Sequence, residues 1–365
     1  MKIRDVIKVL EQVAPLPLQE SYDNSGLIVG NPDATCGKAL ICLDSTETII
    51  DEAINKRCDL VIAHHPIVFS GLKKLNGKNY IERVVMKAIK HDVAIYAIHT
   101  NLDNVLHRGV NAKISEKLDL TNTTILKPLS GKLNTLTTYV PERDLENVRR
   151  ALGEAGGGKI GNYDLCSFSS AGTGTFRGNE KSNPTVGDKG VLEKETEIRL
   201  EITFPSHLEK DLLKALRGSH PYEEIPYGIV SLKNSWQDAG AGIVGDLPKA
   251  MNSSEFLKFL KTRMKTDVIR YTKPVNEIQR VAVCGGSGSF LLNDAIGSKA
   301  DVFITGDFKY HQFFDAEDKL MICDIGHYES EQFTIDLLGE ILSDKLPNFA
   351  VIFAQTGTNP IQYFY

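Results

Sequence analysis

The stretch Asp59-Leu-Val-Ile-Ala-His64-His65-Pro66 is a short apolar run that ends in two adjacent histidines. The same design returns in the stretches 93–103 and 320–331, where an apolar run again gives way to histidines and acids. Short β-rich runs flanked by helical patterns are typical of buried parallel strands. In open α/β sheets, ligands bind beyond the carboxyl ends of such strands. The sequence therefore predicts an α/β fold with a polar site where three strands end.

The chain has the composition of an ordinary soluble globular protein. It contains 365 residues, of which 42% are hydrophobic and 24% charged, and its formal net charge is −5. Such a length accommodates two or three domains. No dense block of lysine and arginine occurs in the sequence, which argues against a nucleic-acid-binding surface.

The six cysteines are scattered, and the sequence has no Cys-x-x-Cys pair. Neither a zinc knuckle nor a disulfide framework is therefore expected. Cysteines in or beside apolar runs are expected to be small core residues: Cys42, Cys58, Cys284 and Cys323. The N-terminal segment lacks the apolar stretch of a signal peptide, and no run approaches the length of a membrane span. We expect a cytoplasmic protein without membrane contact.

The chain contains an internal repeat. Residues 41–62 align without a gap with residues 283–304, and Cys, Ser, Ala-Ile, Asp and Ile coincide while the apolar positions follow each other. Each copy has the pattern of a strand, a turn, an amphipathic helix and a second strand. Any two β-α-β units share such a pattern, but the absence of gaps favours a duplicated half-domain.

A segment of different character separates the two halves. Its pattern predicts strands near 136–141, 165–174, 195–205 and 227–232, with helices over 143–155 and 207–217, the latter beginning after Ser206. The order βαββαβ is that of a ferredoxin-like domain, and the Gly-, Asn- and Ser-rich stretch 172–190 indicates a long loop. We therefore expect residues 1–128 and 233–365 to form one α/β domain from two halves, with an α+β domain inserted at 129–232.

Five side chains at the predicted strand ends are candidate metal ligands. Neighbouring side chains on a strand point to opposite faces, so His64 and His65 either meet one ion through a turn at Pro66 or serve two ions. His327 and Glu331 are four residues apart, which places both on one face of a helix. Three imidazoles and two carboxylates suit Zn, Mn, Fe, Co or Ni better than Mg or Ca, and five ligands suit a pair of ions. The set is His64, His65, Asp103, His327 and Glu331.

Other polar residues allow two interpretations each. His99 is expected to orient a neighbour or to pack, whereas Asp307 and His311 lie beyond a strand end and could orient a metal ligand. The turn Gly285-Gly-Ser-Gly288 either offers backbone N–H groups to a phosphate or only turns the chain tightly. The polar stretches 23–26 and 356–360 either line the same cleft or are simple loops.

Several of these motifs together resemble the Nif-three-like family, also called the GTP cyclohydrolase 1 type 2 family. The resemblance covers both halves of the outer domain. It rests on the motifs Asp23–Gly30, Ala63–Phe69, His99–Asp103, Gly306-Asp307 and Gly326–Glu331. The insert is similar to that of the longer bacterial members, whose extra domain resembles PII and CutA.

The resemblance implies a centre with two ions. His65 and Asp103 would bind one ion, His64 and His327 the other, and Glu331 would bridge them. It also implies a toroidal homohexamer and hydrolytic opening of the GTP imidazole ring with loss of formate. A metal-dependent phosphoesterase and a non-catalytic, metal-binding regulatory protein are the alternatives.

Overall fold

The structure is a computed structural model, and it describes residues 1–364. Eleven α-helices are present among these residues: α1 (Ile3–Val13), α2 (Glu47–Asn55), α3 (Tyr80–Lys90), α4 (Thr100–Asp103), α5 (Val110–Lys117), α6 (Leu145–Glu154), α7 (Glu209–Ser219), α8 (Ser253–Arg263), α9 (Leu292–Gly297), α10 (His327–Glu331) and α11 (Thr334–Lys345). Short 3₁₀ helices cover Leu16–Leu18, Glu142–Asp144, Ser206–Leu208, Ser289–Leu291 and Tyr310–Ala316.

The same residues form fifteen β-strands. They are β1 (Gly26–Val29), β2 (Lys38–Cys42), β3 (Leu60–Ala63), β4 (Ala94–Ala97), β5 (Thr121–Ser130), β6 (Leu133–Pro141), β7 (Phe168–Phe176), β8 (Glu193–Pro205), β9 (Tyr227–Leu232), β10 (Ser235–Met251), β11 (Arg270–Tyr271), β12 (Ile278–Ser287), β13 (Val302–Gly306), β14 (Met321–Asp324) and β15 (Ala350–Phe353).

The chain divides into two compact units. One consists of residues 1–128 together with the chain from Asp238 onward, and the other is Leu129–Gln237. The first unit holds two sheets with the strand orders β1-β4-β3-β2-β15 and β11-β14-β13-β12-β10-β5. The central strands of each sheet are parallel, and an antiparallel strand lies at or near its edge. This is the α/β architecture that the sequence predicts.

The two halves of the first unit repeat one another in detail. The strands β2, β3 and β4 run parallel in the first sheet, as β12, β13 and β14 do in the second. Asp59 Oδ2 accepts hydrogen bonds from the backbone N–H of Gly37 (2.8 Å) and of Lys38 (3.2 Å). At the position 242 residues later in the ungapped alignment, Asp301 Oδ2 accepts bonds from Gln279 N (2.9 Å) and Arg280 N (2.7 Å). The repeat is therefore structural as well as sequential.

Apolar strand residues and helix faces pack into a separate core against each sheet. Ile49, Ile50 and Ala53 of α2 lie on the strand residues of the first sheet, and the Thr46 hydroxyl caps the helix by accepting a bond from Ile49 N. The second sheet packs against α9 through Leu292 and Ala295. The four cysteines expected in the core, Cys42, Cys58, Cys284 and Cys323, are buried, and all six cysteines are free.

The second unit, Leu129–Gln237, has the element order β6-α6-β7-β8-α7-β9 and one antiparallel sheet with the strand order β7-β8-β6-β9. Its core joins buried residues of β6 and β8 to α6 and α7. The helix predicted over 207–217 instead spans 209–219, because Ser206–Leu208 forms a 3₁₀ turn first. The stretch predicted as a loop from residue 172 continues as strand to Phe176, since Gly172 and Gly174 pair with β8.

Candidate metal centre

Three strand ends of the first unit bring the five candidate ligands together. His64 and His65 follow β3 directly, and Asp103 closes the short helix α4 that follows β4. His327 and Glu331 are the first and last residues of α10, the helix that follows β14. Residues 332 and 333 leave the helical pattern, so α10 and the following α11 are separate helices.

One oxygen of Glu331 faces His64 and Asp103. His64 Nε2 lies 3.7 Å from Glu331 Oε1 and 3.7 Å from Asp103 Oδ1. The His64 side chain is fully buried. These three atoms form one group in which each residue offers a single ligand atom.

The other oxygen of Glu331 faces the remaining histidines. Glu331 Oε2 lies 2.9 Å from His65 Nε2 and 3.2 Å from His327 Nε2. The two imidazole nitrogens are 3.3 Å apart, so the two halves of the repeat meet at this point. The Glu331 carboxylate thus lies between two groups of potential ligands.

This grouping differs from the pairing implied by the family resemblance. The resemblance pairs His65 with Asp103 and His64 with His327, whereas the two groups that contain Glu331 join His64 with Asp103 and His65 with His327. A third possible group joins His64 and His65 with His99. The difference follows from the backbone, since the adjacent His64 and His65 reach opposite oxygens of Glu331.

The donor atoms fit a metal ion. Ligands about 2.0–2.1 Å from a tetrahedral zinc lie about 3.3–3.4 Å from one another, and the five separations here range from 2.9 to 3.7 Å. Buried polar atoms without a hydrogen bond are costly. Among the described residues, His64 Nε2 and Asp103 Oδ1 are buried and make none.

Three hydrogen bonds orient the imidazoles. The Nδ1–H groups of the three ligand histidines donate to Ile98 O (2.8 Å, from His64), to Asp44 Oδ1 (2.8 Å, from His65) and to Asp307 Oδ2 (2.7 Å, from His327). Each Nε2 is thereby left free to bind an ion, an arrangement common around metal sites. Sequence reasoning considered Asp307 for such a role but missed Asp44. The signal was available, because Asp44 also follows the end of a buried strand.

Charge is concentrated at the centre. Burial opposes protonation of His65, but hydrogen bonds with Asp44 and Glu331 outweigh it and raise the His65 pKa to about 10. Burial likewise opposes protonation of His327, whose pKa is raised to about 9 by Glu331 and Asp307. Burial raises the pKa of Asp103 to about 7. The nearby histidines overcome burial at Glu331 and hold its pKa well below the usual range.

His99 belongs to a network beside the centre. Its Nδ1–H donates to Asp23 Oδ1 (2.8 Å), and Asp23 Oδ2 accepts bonds from Thr100 N (3.0 Å) and the Ser25 hydroxyl (2.9 Å). Burial acts against the charge of Asp23, but these hydrogen bonds, led by that of His99, hold its pKa far below normal. The ring of His99 lies 5.3 Å from the rings of both His64 and His65. The stretch 23–26 therefore supports His99 beside the cleft, whereas only the preceding Tyr22 belongs to the cleft lining.

The glycine-rich turn is occupied by internal hydrogen bonds. The turn begins within β12, which extends through Ser287. The N–H groups of three of its glycines donate to side chains of the protein: Gly285 to Asn111, Gly286 to Ser330 and Gly288 to Thr305. These donors are not directed at a phosphate, so the tight-turn interpretation is supported.

The ligands open into a cleft of about 660 Å³ that is formed within the first unit. Aromatic side chains line it: Tyr22, Phe69, Tyr80, Phe290 and Tyr328. The segment 358–361 forms part of one wall, and the Thr358 hydroxyl donates to Asp44 Oδ2 (2.8 Å). Thr358, Asn359 and Pro360 of the second polar stretch, 356–360, therefore contribute to the cleft.

Comparison with known proteins identifies the family. The Duf34/NIF3 (NGG1p interacting factor 3) family model matches residues 1–360. The chain belongs to this family. It is 37% identical over 366 residues to a protein of Bacillus subtilis named GTP cyclohydrolase 1 type 2 homolog, which covers 99% of this chain and 98% of the relative.

Solved structures of NIF3 relatives share the fold. A Bacillus cereus protein related to NIF3 superposes with a TM-score of 0.87 at 35% identity, covering 100% of this chain and 99% of the other. The Staphylococcus aureus protein SA1388 gives 0.77 at 28% identity with the same coverage. The resemblance drawn from the sequence motifs is confirmed for the family and its α/β fold.

The remaining histidines of this NIF3-family chain are not part of the centre. His311 contacts Tyr310 edge to face and stacks on Phe314 in a 3₁₀ helix, whereas Asp307 accepts the hydrogen bond that orients His327. His91 ends α3 at the surface. No helix among residues 1–364 is long and apolar enough to cross a membrane.

Gly286 keeps the Glu331 carboxylate in place, which leads to a prediction. A Cβ atom at position 286 would lie 2.4 Å from Glu331 Oε1, and the φ of Gly286 is +63°. Gly286→Ala should therefore displace the carboxylate and lower metal affinity by about 10-fold or more. Titration against a chromophoric chelator measures this. Gly297→Ala, which meets no atom within 4 Å, should leave the affinity unchanged, and equal affinities for both variants would contradict the role of Gly286.

Proposed function

We propose that this chain is a metal-dependent hydrolase with a dinuclear centre. Two divalent transition-metal ions, of the type Zn, Mn, Fe, Co or Ni, would bind to His64, His65, Asp103, His327 and Glu331. Glu331 would bridge the two ions. The observation that carries the proposal is the Glu331 carboxylate, whose two oxygens each face a separate group of ligand atoms. Imidazole and carboxylate donors together suit transition metals.

The side chains around the centre have separable tasks in this proposal. A bound divalent ion supplies a Lewis acid and lowers the pKa of water towards neutrality. Asp44 and Asp307 keep the Nδ1 protons of His65 and His327, so that the opposite nitrogens stay free. Asp23 does the same for His99, which belongs to neither Glu331 group but lies close enough to His64 and His65 to form a third possible ligand group with them. No serine or cysteine nucleophile is required.

The reaction that we propose is the hydrolytic opening of a purine imidazole ring. One water adds at C8 and a ring C–N bond breaks, and a second water releases the carbon as formate. GTP is the first candidate substrate, because relatives carry the name GTP cyclohydrolase 1 type 2 homolog. The aromatic lining of the cleft supports a planar ring as ligand.

Metal analysis tests the centre. Protein purified without chelator should contain about two equivalents of transition metal, because two ligand groups share Glu331. Glu331→Ala should weaken both positions and reduce the content to below about one equivalent. Glu154→Ala, at an exposed position in α6, serves as the control and should keep the wild-type content. Full occupancy in the Glu331→Ala protein would rule out the bridging role.

Parallel assays of formate and inorganic phosphate test the reaction. Metal-loaded protein incubated with GTP should release formate without phosphate, and Asp103→Ala should abolish the release without unfolding the chain, because it removes one ligand. Circular dichroism checks the fold of the variant. Phosphate alone would identify a phosphoesterase. Neither product from any nucleotide would favour a non-catalytic regulatory or binding role.

We also propose that residues 129–232 are an inserted ferredoxin-like domain, similar to PII and CutA. The element order βαββαβ and the strand order β9-β6-β8-β7 support this. Because β5 and β10 are neighbouring strands, a short turn can replace residues 129–237. The shortened protein should be soluble and bind metal as before, measured by metal analysis after gel filtration. An insoluble product would show that the insert is needed for the outer fold.

The toroidal homohexamer and the cytoplasmic location are further parts of the proposal. Both come from the family resemblance and the sequence, and six free cysteines agree with a reducing compartment. Light scattering of the purified protein gives the mass that tests the hexamer.

A further inference from the structure

Among the described residues, the cleft lining holds four carboxylates, Glu20, Asp44, Asp103 and Glu331, and no lysine or arginine. The histidines are its only side chains that can carry positive charge, and His65 and His327 would be occupied as metal ligands. Bound metal ions would be the only non-histidine cations that a phosphate could meet there, and they would share the lining with these four carboxylates. Phosphate groups in proteins are bound chiefly by Arg, by Lys and by backbone N–H groups.

The backbone N–H groups of the glycine-rich turn and of α2 do not take the place of lysine or arginine in the cleft. The N–H groups of Gly285, Gly286 and Gly288 donate to protein side chains. The N-terminus of α2 reaches the cleft at Thr46, but the Thr46 hydroxyl already accepts a bond from Ile49 N, and Glu47 adds a negative charge in the first turn. Neither element is therefore arranged to hold a triphosphate.

Nearby lysines are engaged elsewhere or lie outside the lining. The Lys127 ammonium is 5.9 Å from the centre of the Phe290 ring, but it is also 3.8 Å from Asp294 Oδ2. The exposed loop between Phe69 and Tyr80 carries Lys73, Lys74 and Lys78, none of which lines the cleft.

The cleft presents flat aromatic surface in place of lysine and arginine side chains. Tyr22, Phe69 and Phe290 line it and remain 66%, 54% and 57% exposed, respectively. Aromatic rings left accessible beside a metal centre can stack on a planar base, and such stacking tolerates any base because each has a π-face.

From these observations we infer that the cleft recognises an uncharged planar nitrogen heterocycle, a free base or nucleoside, and that the phosphates of a nucleotide contribute nothing to its binding. The inference rests on the proposed hydrolase function for the orientation of the ring towards the metal ligands. It changes the substrate class from nucleoside triphosphate to nucleobase or nucleoside.

Calorimetric titration of metal-loaded protein tests this inference. Guanosine should bind at least as tightly as GTP, and a tenfold excess of inorganic tripolyphosphate should not displace it. The guanosine affinity should also be unchanged between 50 and 500 mM salt, roughly a threefold change in Debye length. GTP binding more than threefold tighter than guanosine, displacement by tripolyphosphate, or no binding of guanosine would each overturn the inference.

Two variants assign the effect to the cleft. Phe290→Ala should weaken guanosine binding about 10-fold by removing a stacking face, while Tyr310→Ala, an exposed aromatic outside the cleft lining, should not. Ser287→Lys adds a cation at an exposed position of the lining, and it should tighten GTP binding without changing that of guanosine. Equal effects of Phe290→Ala and Tyr310→Ala, or no gain for GTP in Ser287→Lys, would contradict the inference.

Binding and turnover separate the two proposals. If guanosine binds as expected but neither ligand yields formate, the hydrolase function fails while the recognition of the ring stands. If GTP yields formate and guanosine does not, the hydrolase function stands and the inference is wrong.

Discussion

The Glu331 carboxylate, placed between two groups of ligand atoms, is the contact on which the rest of the site depends. It is almost completely buried, which is costly for a charged group unless positive charge compensates it. His64 and His65 approach it from one half of the repeat and His327 from the other. Every bond that orients these imidazoles matters chiefly because it directs a free nitrogen towards this carboxylate.

Close backbone packing makes room for this arrangement. Gly306, at the end of β13, would bring a Cβ atom to 2.8 Å from the backbone of Gly326 and His327. Only a residue without a side chain lets α10 begin so near the strand. Gly326 itself precedes α10 with a φ of +97°. The glycine-containing motifs at positions 306 and 326 therefore bring a helix against a sheet edge.

Much of the fold could be predicted from the sequence, because the patterns that indicate strands and the repeat are local in the chain. Apolar runs of four or five residues with histidines behind them mark β3, β4 and β14, and the ungapped repeat marks the two halves. The grouping of His64 and His65 could not be read in this way, since it depends on which oxygen of a residue some 270 positions away each ring reaches. The occupation of the glycine N–H groups depends on Asn111, Ser330 and Thr305, which no local pattern connects to them.

The repeat also bears on how such a centre can originate. Asp59 and Asp301 keep the same task in both halves, yet the position of Asp44 corresponds to Gly286, and that of His65 corresponds to Asp307. A symmetric pair of identical half-domains would carry the same residue at both places. It could not supply an aspartate on one side and an empty space on the other. The present centre thus depends on two halves of different sequence in one chain, which share a scaffold and supply different groups to one site.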